Sequence, residues 1–548
     1  MKSNLIQILK VIAIIIGINL IASKLYFRSD LTSDKRYTLS KISERMVHKF
    51  TDRVQVDVYL KGDFPLDFRR LSQATQQHLE ELKAQNSKIF FKFIDPTGIE
   101  EKLVKNGLQP SALTIEEEGS VSEKLIFPYA IAKYDKKEVI IPLLLNSSEG
   151  QEKQLQRSIE NLEYAFSDAF SKLTSKKQKT IAVLRSNGTL EDIYLYDFLS
   201  SLKDKYNLAP FTLQPLAAVP QDILKELNKY DVLIVAKPTV AFSEQDKLVL
   251  DQYIMNGGKT LWMLDQVHAE MDSLQQTGEA MFIPRDLGLT DLLFSYGVRV
   301  NFNLVQDLYS SKIAIATGNV GDQTQFKQFL WRYYPLITPN PKHPITKNIE
   351  AVNLKFPSGI DTLKNNIHKE ILLQTSTLTK TTGLPNIVSL LTLADKIDPA
   401  EFQAEPKNLG VLLEGRFTSA YAYRTQPFAT EFKKQSEPNK MIVISDGDIC
   451  ANQIQDGNPT SLNVDKWTGQ YFGNKDFLLN AVDYLVDDSG LLTLRGKTLE
   501  IEMLNKQKVA ADKHFWQFIN IGLPLLLLGI FAFGYIFWRK RKYAKVME

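Results

Sequence analysis

DVLIVAKPTVAFSEQDKLVLDQYIMNGGKTLWML, residues 231–264, is the stretch whose reading decides the fold. After Asp231 the run 232–236 is short and apolar throughout, the pattern of a strand covered on both faces. Residues 243–255 read as a helix, Gly257 and Gly258 stop it, and 260–264 is a second apolar strand. Strand, helix and strand in alternation predict a doubly wound α/β sheet. Working outward, 180–184 is an earlier strand of the same sheet, 192–206 an earlier helix, and 441–445 a further buried strand. Phe477, Leu478, Ala481, Val482 and Leu485 recur at helical spacing within 474–486, so the sheet is expected to resume there. The α/β domain is thus predicted over 178–500. Inside it, 266–440 is rich in β-branched and aromatic runs broken by turns and reads as a large β-rich insertion.

Ahead of this domain, Val54, Val56, Val58 and Leu60 alternate with Gln55, Asp57 and Tyr59, a half-buried strand. Leu71, Leu79 and Leu82 share a helical face, and 89–94 is a second strand, which makes a βαβ unit. A short helix near Leu103, a strand-like 111–115, two β runs at 125–134 and 138–145, and a helix over 151–173 complete the order β-α-β-α-β-β-α. That order predicts a thioredoxin-like domain over 51–175. Gly62, Asp63, Phe64 and Pro65 stand where a thioredoxin carries its two cysteines, so the domain is expected to be redox-inert.

At 548 residues the chain exceeds what one core fills, and 44% apolar with 24% charged residues are ordinary globular values. A formal charge of +3 leaves no general basic field and argues against nucleic acid as a partner. The lone Cys450 excludes an intramolecular disulfide and a multi-cysteine metal site. No residue from 515 to 538 is charged, and a helix of that length spans a hydrocarbon core of about 30 Å. Phe515, Trp516, Phe518, Tyr535 and Trp538 occupy the two interfacial levels, and Arg539, Lys540, Arg541, Lys542 and Lys545 follow. Residues 515–538 are read as a transmembrane helix, 501–514 as its connector and 539–548 as a basic cytoplasmic tail. Residues 5–22, apolar except for Lys10, are read as an uncleaved anchor within 1–23. A cleaved signal peptide is the competing reading, against which Ile21, Ala22 and Ser23 make a poor cleavage site. Two spans with the basic end inside place both termini in the cytoplasm and the body in the periplasm, at a bacterial inner membrane. Gly522 and Gly529, two helical turns apart, either open a face to a neighbouring backbone or reflect the frequency of glycine in membrane helices.

Gly258-Lys259-Thr260 imitates the end of a phosphate-binding loop, but Tyr253 replaces the required first glycine and the segment leaves a helix to enter a strand. No cofactor or nucleotide site is expected. Asp446 and Asp448, with Asn452, follow a buried strand at the edge where doubly wound sheets collect ligands. They either hold a hard cation through oxygens or make an ordinary Asp-Gly-Asp turn; the turn is favoured, because no other carboxylate cluster is assignable to that place. Asp265 and His268 read as an isolated structural pair. Cys450 lies beyond the strand's exit loop with no histidine motif, so it reads as a packed thiol and not as an amidotransferase-type nucleophile. No catalytic or metal residue is assigned, and the chain is expected not to be an enzyme. In the connector 24–50, Asp30, Leu31, Thr32, Lys35, Arg36, Tyr37, Leu39 and Ser40 form either a solvated link or a mechanical coupling between anchor and body. Thr38 or Ser40 is the candidate cap of a helix marked by Ile42, Met46 and Val47.

The strings DLTSDKRYTLS (30–40), YLKGDFP (59–65), FRRL (68–71), FIDP (93–96), DLLFSYG (291–297), VISDGD (443–448) and NAVDYL (480–485), with both anchors, resemble one family. It is the gliding motility-associated ABC transporter substrate-binding protein family, GldG type, of Bacteroidetes. The resemblance implies an auxiliary subunit working with an ABC-2-type permease and a separate ATPase in a complex linked to gliding motility. It also implies an α/β domain similar to the GIFT domain of intraflagellar transport proteins, related to the glutamine-amidotransferase sheet. It names no periplasmic ligand or protein partner. A periplasmic small-ligand receptor using the sheet edge and a cryptic amidotransferase-like hydrolase are the other two readings.

Overall fold

Val54, Val56 and Val58 are fully buried, and their two-residue period builds strand β1 (Val54–Val58), parallel to β2 (Ile89–Phe93) across the helix Leu66–Gln85. A computed structural model of the chain describes residues 38–62, 64, 66–117, 120–145, 150–174, 179–214, 219–320, 323–394, 396–487, 490–496 and 512–543, with 16 and 19. The rest of the first apolar segment and residues 30–37 of the connector lie outside the described residues. Two compact units divide the chain, Met1–Thr498 and Leu499–Glu548.

The run expected as one strand over 125–134 is broken in two. β3 (Ser111–Glu117) and β4 (Ser120–Ile126) form a hairpin of their own, and Pro128, which has no amide to donate, separates β4 from β5 (Tyr129–Tyr134). With β6 (Lys137–Pro142), the sheet order is β2-β1-β5-β6, and β5 is antiparallel to both neighbours. The helix Gln151–Thr174 shares one core with Leu66–Gln85, through Leu71, Leu79, Leu162, Phe166 and Phe170. The short helix Glu100–Lys105 buries Leu103 in a separate cluster with Tyr59 and Ile131.

The central sheet begins with β7 (Thr180–Leu184), β8 (Asn207–Phe211), β9 (Val232–Ala236) and β10 (Lys259–Met263). Val183, Ile234, Met263 and Ile444 turn to one face, with Phe198, Leu202, Phe477 and Ala481 of the helices Asp192–Lys203 and Asn474–Val486. Leu184, Val235, Trp262 and Val443 turn to the other, with Leu224, Leu250 and Leu293 of the helices Pro220–Leu227, Glu244–Met255 and Thr290–Tyr296. Helices on both faces are what makes these strands apolar throughout. Gly258 ends the helix Glu244–Met255 under the Tyr253 ring, where a Cβ would collide, so the Gly-Lys-Thr string is a packing turn.

The segment 266–440, read as an insertion, divides into two parts. Part of it is a satellite: β11 (Val267–His268) and β12 (Glu279–Pro284), then β14 (Asn303–Asp307), β15 (Ser310–Val320), β16 (Gln323–Ile337) and β17 (Val352–Asn353), then β20 (Thr379–Gly383) and β21 (Asn386–Ser389). Their core gathers Phe282, Trp331, Tyr333, Phe356 and Val388. The remainder, β13 (Val298–Val300), β18 (Ile360–Thr362), β19 (His368–Gln374) and β22 (Asn408–Thr418), extends the central sheet. β22 pairs antiparallel with β23 (Gln435–Ile444), which is parallel to β10. The path is β13-β18-β22-β23-β10-β9-β7-β8, with β19 also on β22. Buried Leu409, Val411, Leu412 and Leu413 need cover on both sides, which only the central sheet offers.

In the second unit the helix Lys513–Tyr543 carries the apolar segment, and among the described residues Phe515–Lys542 is the one helix long and apolar enough to cross a membrane.

Candidate functional site

The parallel strands β9, β10 and β23 are neighbours, so the residues just past their C-terminal ends meet at one corner of the sheet. Lys237 follows β9 with φ 48°, Asp265 follows β10, and Asp446 and Asp448 follow β23. The Lys237 ammonium lies 2.8 Å from Asp448 Oδ1, 3.2 Å from Glu270 Oε2 and 3.7 Å from Asp265 Oδ2. Arg285 closes the far side, 3.6 Å from Asp265 Oδ2, 3.5 Å from Glu270 Oε1 and 2.8 Å from His268 Nδ1. The Gly447 amide donates to Asp265 Oδ1 at 2.6 Å; the Lys355 and Asp448 amides donate to the two oxygens of fully buried Asp446 at 2.7 and 2.8 Å. A Cβ on Gly447 would lie 2.5 Å from Lys237 Cγ, so only glycine lets the lysine stem cross there.

Four carboxylates share two cations in this corner, and the electrostatics follow from that excess. Burial, the Asp448 charge and the limited pull of Lys237 leave the Asp265 carboxyl raised to about 6. Burial, with Asp265 and Asp448 beside it, drives Asp446 well above the usual carboxylate range. Burial works against the Lys237 ammonium, but Asp448, Asp265 and Glu270 outweigh it and move its pKa upward. The corner corrects two expectations: Asp265 and His268 are not an isolated pair, and a carboxylate cluster does surround Asp446 and Asp448. Asn452 is not part of it. Its Nδ2 donates to Ile193 O and its Oδ1 accepts from Asp197 N, so it ties the loop to the helix Asp192–Lys203. Among the described residues no group of three or more His, Cys, Asp or Glu could hold a metal ion. Cys450 is buried, its thiol donates to Gly447 O at 3.4 Å, and burial pushes its pKa well up.

The other place where this topology collects ligands is the switch point between β7 and β9, where the strand order reverses. Here it is sealed. The Thr239 and Val240 amides donate to Asn187 O at 2.9 and 3.0 Å, and Thr239 Oγ1 donates to Gly188 O at 2.9 Å. Asn187 and Gly188 reach those positions through φ of 58° and 63°, and a Cβ on Gly188 would collide with the Thr239 hydroxyl.

A second charged site joins the four-stranded sheet to the central one. Lys205 Nζ bridges Asp168 Oδ1 at 2.9 Å, on the helix Gln151–Thr174, and Asp483 Oδ2 at 2.8 Å, on the helix Asn474–Val486. The Tyr206 hydroxyl donates to Asp483 Oδ1 at 2.8 Å, and Arg157 pairs with Glu350 at 3.1 Å. Burial raises the Asp168 carboxyl, but Lys205 and Lys172 outweigh it and hold it at about 2.

The expected cap falls on the same helix. Ser40 caps the helix Lys41–Val47, its Oγ accepting from Ser43 N at 3.2 Å, while its own amide donates to Glu163 Oε1 at 2.8 Å. Ser43 Oγ donates to the same Glu163 oxygen at 2.7 Å, and Leu39 is buried in the core under it. The segment leaving the body also lands there: Leu492 and Leu494 pack on Tyr164, with Ile42 and Leu491 alongside. In the second unit, a Cβ on Gly529 would meet nothing within 4 Å and one on Gly522 only the Phe518 ring at 3.7 Å.

Residues 178–481, more than half of the chain, match the family described as an ABC-type uncharacterized transport system, and the chain belongs to it. The protein is thereby an auxiliary component of an ABC-type transport system. Residues 33–133 match a domain of unknown function. An uncharacterized protein of Borreliella burgdorferi is 21% identical over 526 residues, covering 94% of each chain. The mmIFT52 N-terminal domain aligns at 14% identity and a TM-score of 0.32, covering 57% of this chain and 99% of that one, a likeness too low to carry an argument.

Proposed function

We propose that the protein is a non-catalytic, membrane-anchored auxiliary subunit of the GldG type, coupling a periplasmic body to an ABC-2-type permease and a separate ATPase in a gliding-motility complex. The observation that carries this reading is the convergence on the helix Gln151–Thr174. The entering helix Lys41–Val47 bonds to Glu163, the leaving residues Leu492 and Leu494 cover Tyr164, and the ion pairs of Asp168 and Arg157 join that helix to the central sheet. A displacement delivered by either membrane segment reaches both sheets through one rigid element. The strand order β2-β1-β5-β6 supports a thioredoxin-like N-terminal domain over 51–175, and the parallel order β8-β7-β9-β10-β23 a GIFT-like α/β domain. The sealed switch point and the protonated, buried Cys450 thiol support a scaffold over a hydrolase. The open face at Gly522 and Gly529 is the docking face for the permease, and the residues Asp30 to Ser40 carry the coupling.

The test is recovery of partners from the native membrane. Full-length protein is expected to copurify with a multi-span permease and an ATPase, and to show no ATP hydrolysis alone. Replacing Gly522 and Gly529 together with Leu should preserve insertion and reduce permease recovery. Purification of the intact protein without either partner would overturn the reading.

A further inference from the structure

In the helix Lys513–Tyr543 the apolar run stops at Trp538, and Arg539, Lys540, Arg541 and Lys542 follow without a break. That helix contains no Asp or Glu; Asp512 precedes it, and Glu548 is the next carboxylate after it. All four basic side chains are exposed, and among the described residues no ion pair engages Arg539, Lys540 or Arg541. The helix's own C-terminus absorbs little of this charge, because its macrodipole amounts to about half an elementary charge. The compensating anions must therefore come from outside the helix.

Geometry decides what can surround these cations. At about 100° per residue, four consecutive side chains point to four sides of the helix and make a collar. A packed protein neighbour covers one stripe of about 100°, so a permease docked at Gly522 and Gly529 would leave most of the collar unmet. A lipid leaflet meets a helix on every remaining side. The rings below set the level: Tyr535 and Trp538 lie 6.4 Å apart, at the end of the apolar run where aromatic side chains mark the boundary between hydrocarbon and headgroups. The Lys542 ammonium turns back over Trp538, 4.9 Å from its ring centroid. Helical side chains lean towards the N-terminus of their helix, so the collar is drawn to the headgroup phosphates and not away into water. A zwitterionic headgroup brings an ammonium with its phosphate and leaves the collar uncompensated. A headgroup of net negative charge compensates it, and each cation near the surface favours such a lipid about fivefold.

We infer that Arg539, Lys540, Arg541 and Lys542 form a binding collar for anionic phospholipid, gathering net-negative headgroups around the C-terminal end of the helix. The inference rests on the membrane-anchored reading and adds to it a class of lipid.

The test reconstitutes the full-length protein in phosphatidylcholine vesicles carrying a trace of spin-labelled lipid, and electron spin resonance reads the fraction of label immobilised on the protein. Labelled phosphatidylglycerol is expected to associate about fivefold more strongly than labelled phosphatidylcholine. The preference should largely disappear in about 1 M salt, where the Debye length is about 3 Å. With Arg539→Gln, Lys540→Gln, Arg541→Gln and Lys542→Gln combined, the two labels should bind alike. The immobilised phosphatidylcholine, which measures helix surface in the bilayer, should stay the same. Arg539→Lys with Arg541→Lys keeps the charge and should keep the preference. Equal binding of the two lipids by the wild-type protein overturns the inference, as does a preference that survives the four Gln substitutions. Failure of the anchored reading looks different, for then neither label would be immobilised at all.

Discussion

Two lysines, Lys237 buried and Lys205 half-buried, serve this protein in opposite ways. Lys205 stands between Asp168 and Asp483, and the balance favours full ionisation: Asp168 is held at about 2 and the Lys205 pKa moves well up, its carboxylate partners outweighing burial. Lys237 stands among Asp265, Glu270 and Asp448, with Arg285 and Asp446 close by, and there the carboxylates outnumber the cations. Protons make up the difference, on Asp446 and partly on Asp265. A buried charge persists only when compensated, and the two sites compensate in different currencies, an ion pair in one and a bound proton in the other. The first braces two sheets at any ordinary pH. The second is a corner whose charge changes within the physiological range.

The comparison breaks most readily at the lysines. Lys205→Met leaves buried Asp483 without its ammonium and half-buried Asp168 with Lys172 alone, and should cost about 3 kcal/mol in denaturant unfolding at pH 7. Lys237→Met should cost less, because Asp265 can take up a proton, and the loss should shrink further at pH 5. Equal losses at both pH values would remove the distinction between the two sites.

A sharper version compares pH profiles. The Asp168 pKa is depressed from 3.8 to about 2 in the folded state, so its contribution is present above pH 3.8 and lost as pH falls towards 2. Asp265 is raised from 3.8 to about 6, so its contribution is complete below 3.8 and lost as pH rises through 6. Asp265→Asn keeps an acceptor for the Gly447 amide and removes the titration. The variant should lose the wild-type decline in stability between pH 4 and about 7, while Asp168→Asn should be destabilised throughout that range. An unchanged profile for Asp265→Asn would show that its proton is not the compensating charge.

Much of this architecture was legible from residue patterns because it depends on near neighbours. The apolar runs at 232–236 and 260–264, the alternation of Val54, Val56 and Val58, and the helical face of Phe477 and Ala481 each declare an element locally. The cap at Ser40 was legible for the same reason. What escaped depends on long-range choice. Residues 408–418 look like a strand, but nothing local says that β22 joins β23 antiparallel and carries part of the supposed insertion into the central sheet. Lys237 and Asp448 are 211 residues apart, and the corner exists only once β9, β10 and β23 are side by side. One signal was available: a lysine set directly after the apolar run VLIVA, at the strand end where doubly wound sheets gather polar groups. Lys205 offered no such signal, since a lysine near the end of a helix is ordinary.

The smallest expected effect tests whether the brace continues into the chain that enters the body. Ser40 makes two kinds of bond: its backbone amide donates to Glu163, and its hydroxyl bonds within its own turn, accepting from the Ser43 amide and lying 3.1 Å from Ser43 Oγ. Ser40→Ala keeps the first and removes the hydroxyl's bonds, chiefly a helix cap with a typical cost of about 1 kcal/mol. Ser43→Ala removes a buried hydroxyl that donates to Glu163 and lies 3.0 Å from Ser167 Oγ, so it loosens the contact with the helix Gln151–Thr174 itself. In hydrogen exchange, Ser40→Ala should speed exchange across Lys41–Val47 and leave the amides of Gln151–Thr174 unchanged. Ser43→Ala should speed exchange in both. A capped helix that merely rests on its neighbour would answer both substitutions alike, with Gln151–Thr174 silent each time, and the coupling assigned to this contact would then be wrong.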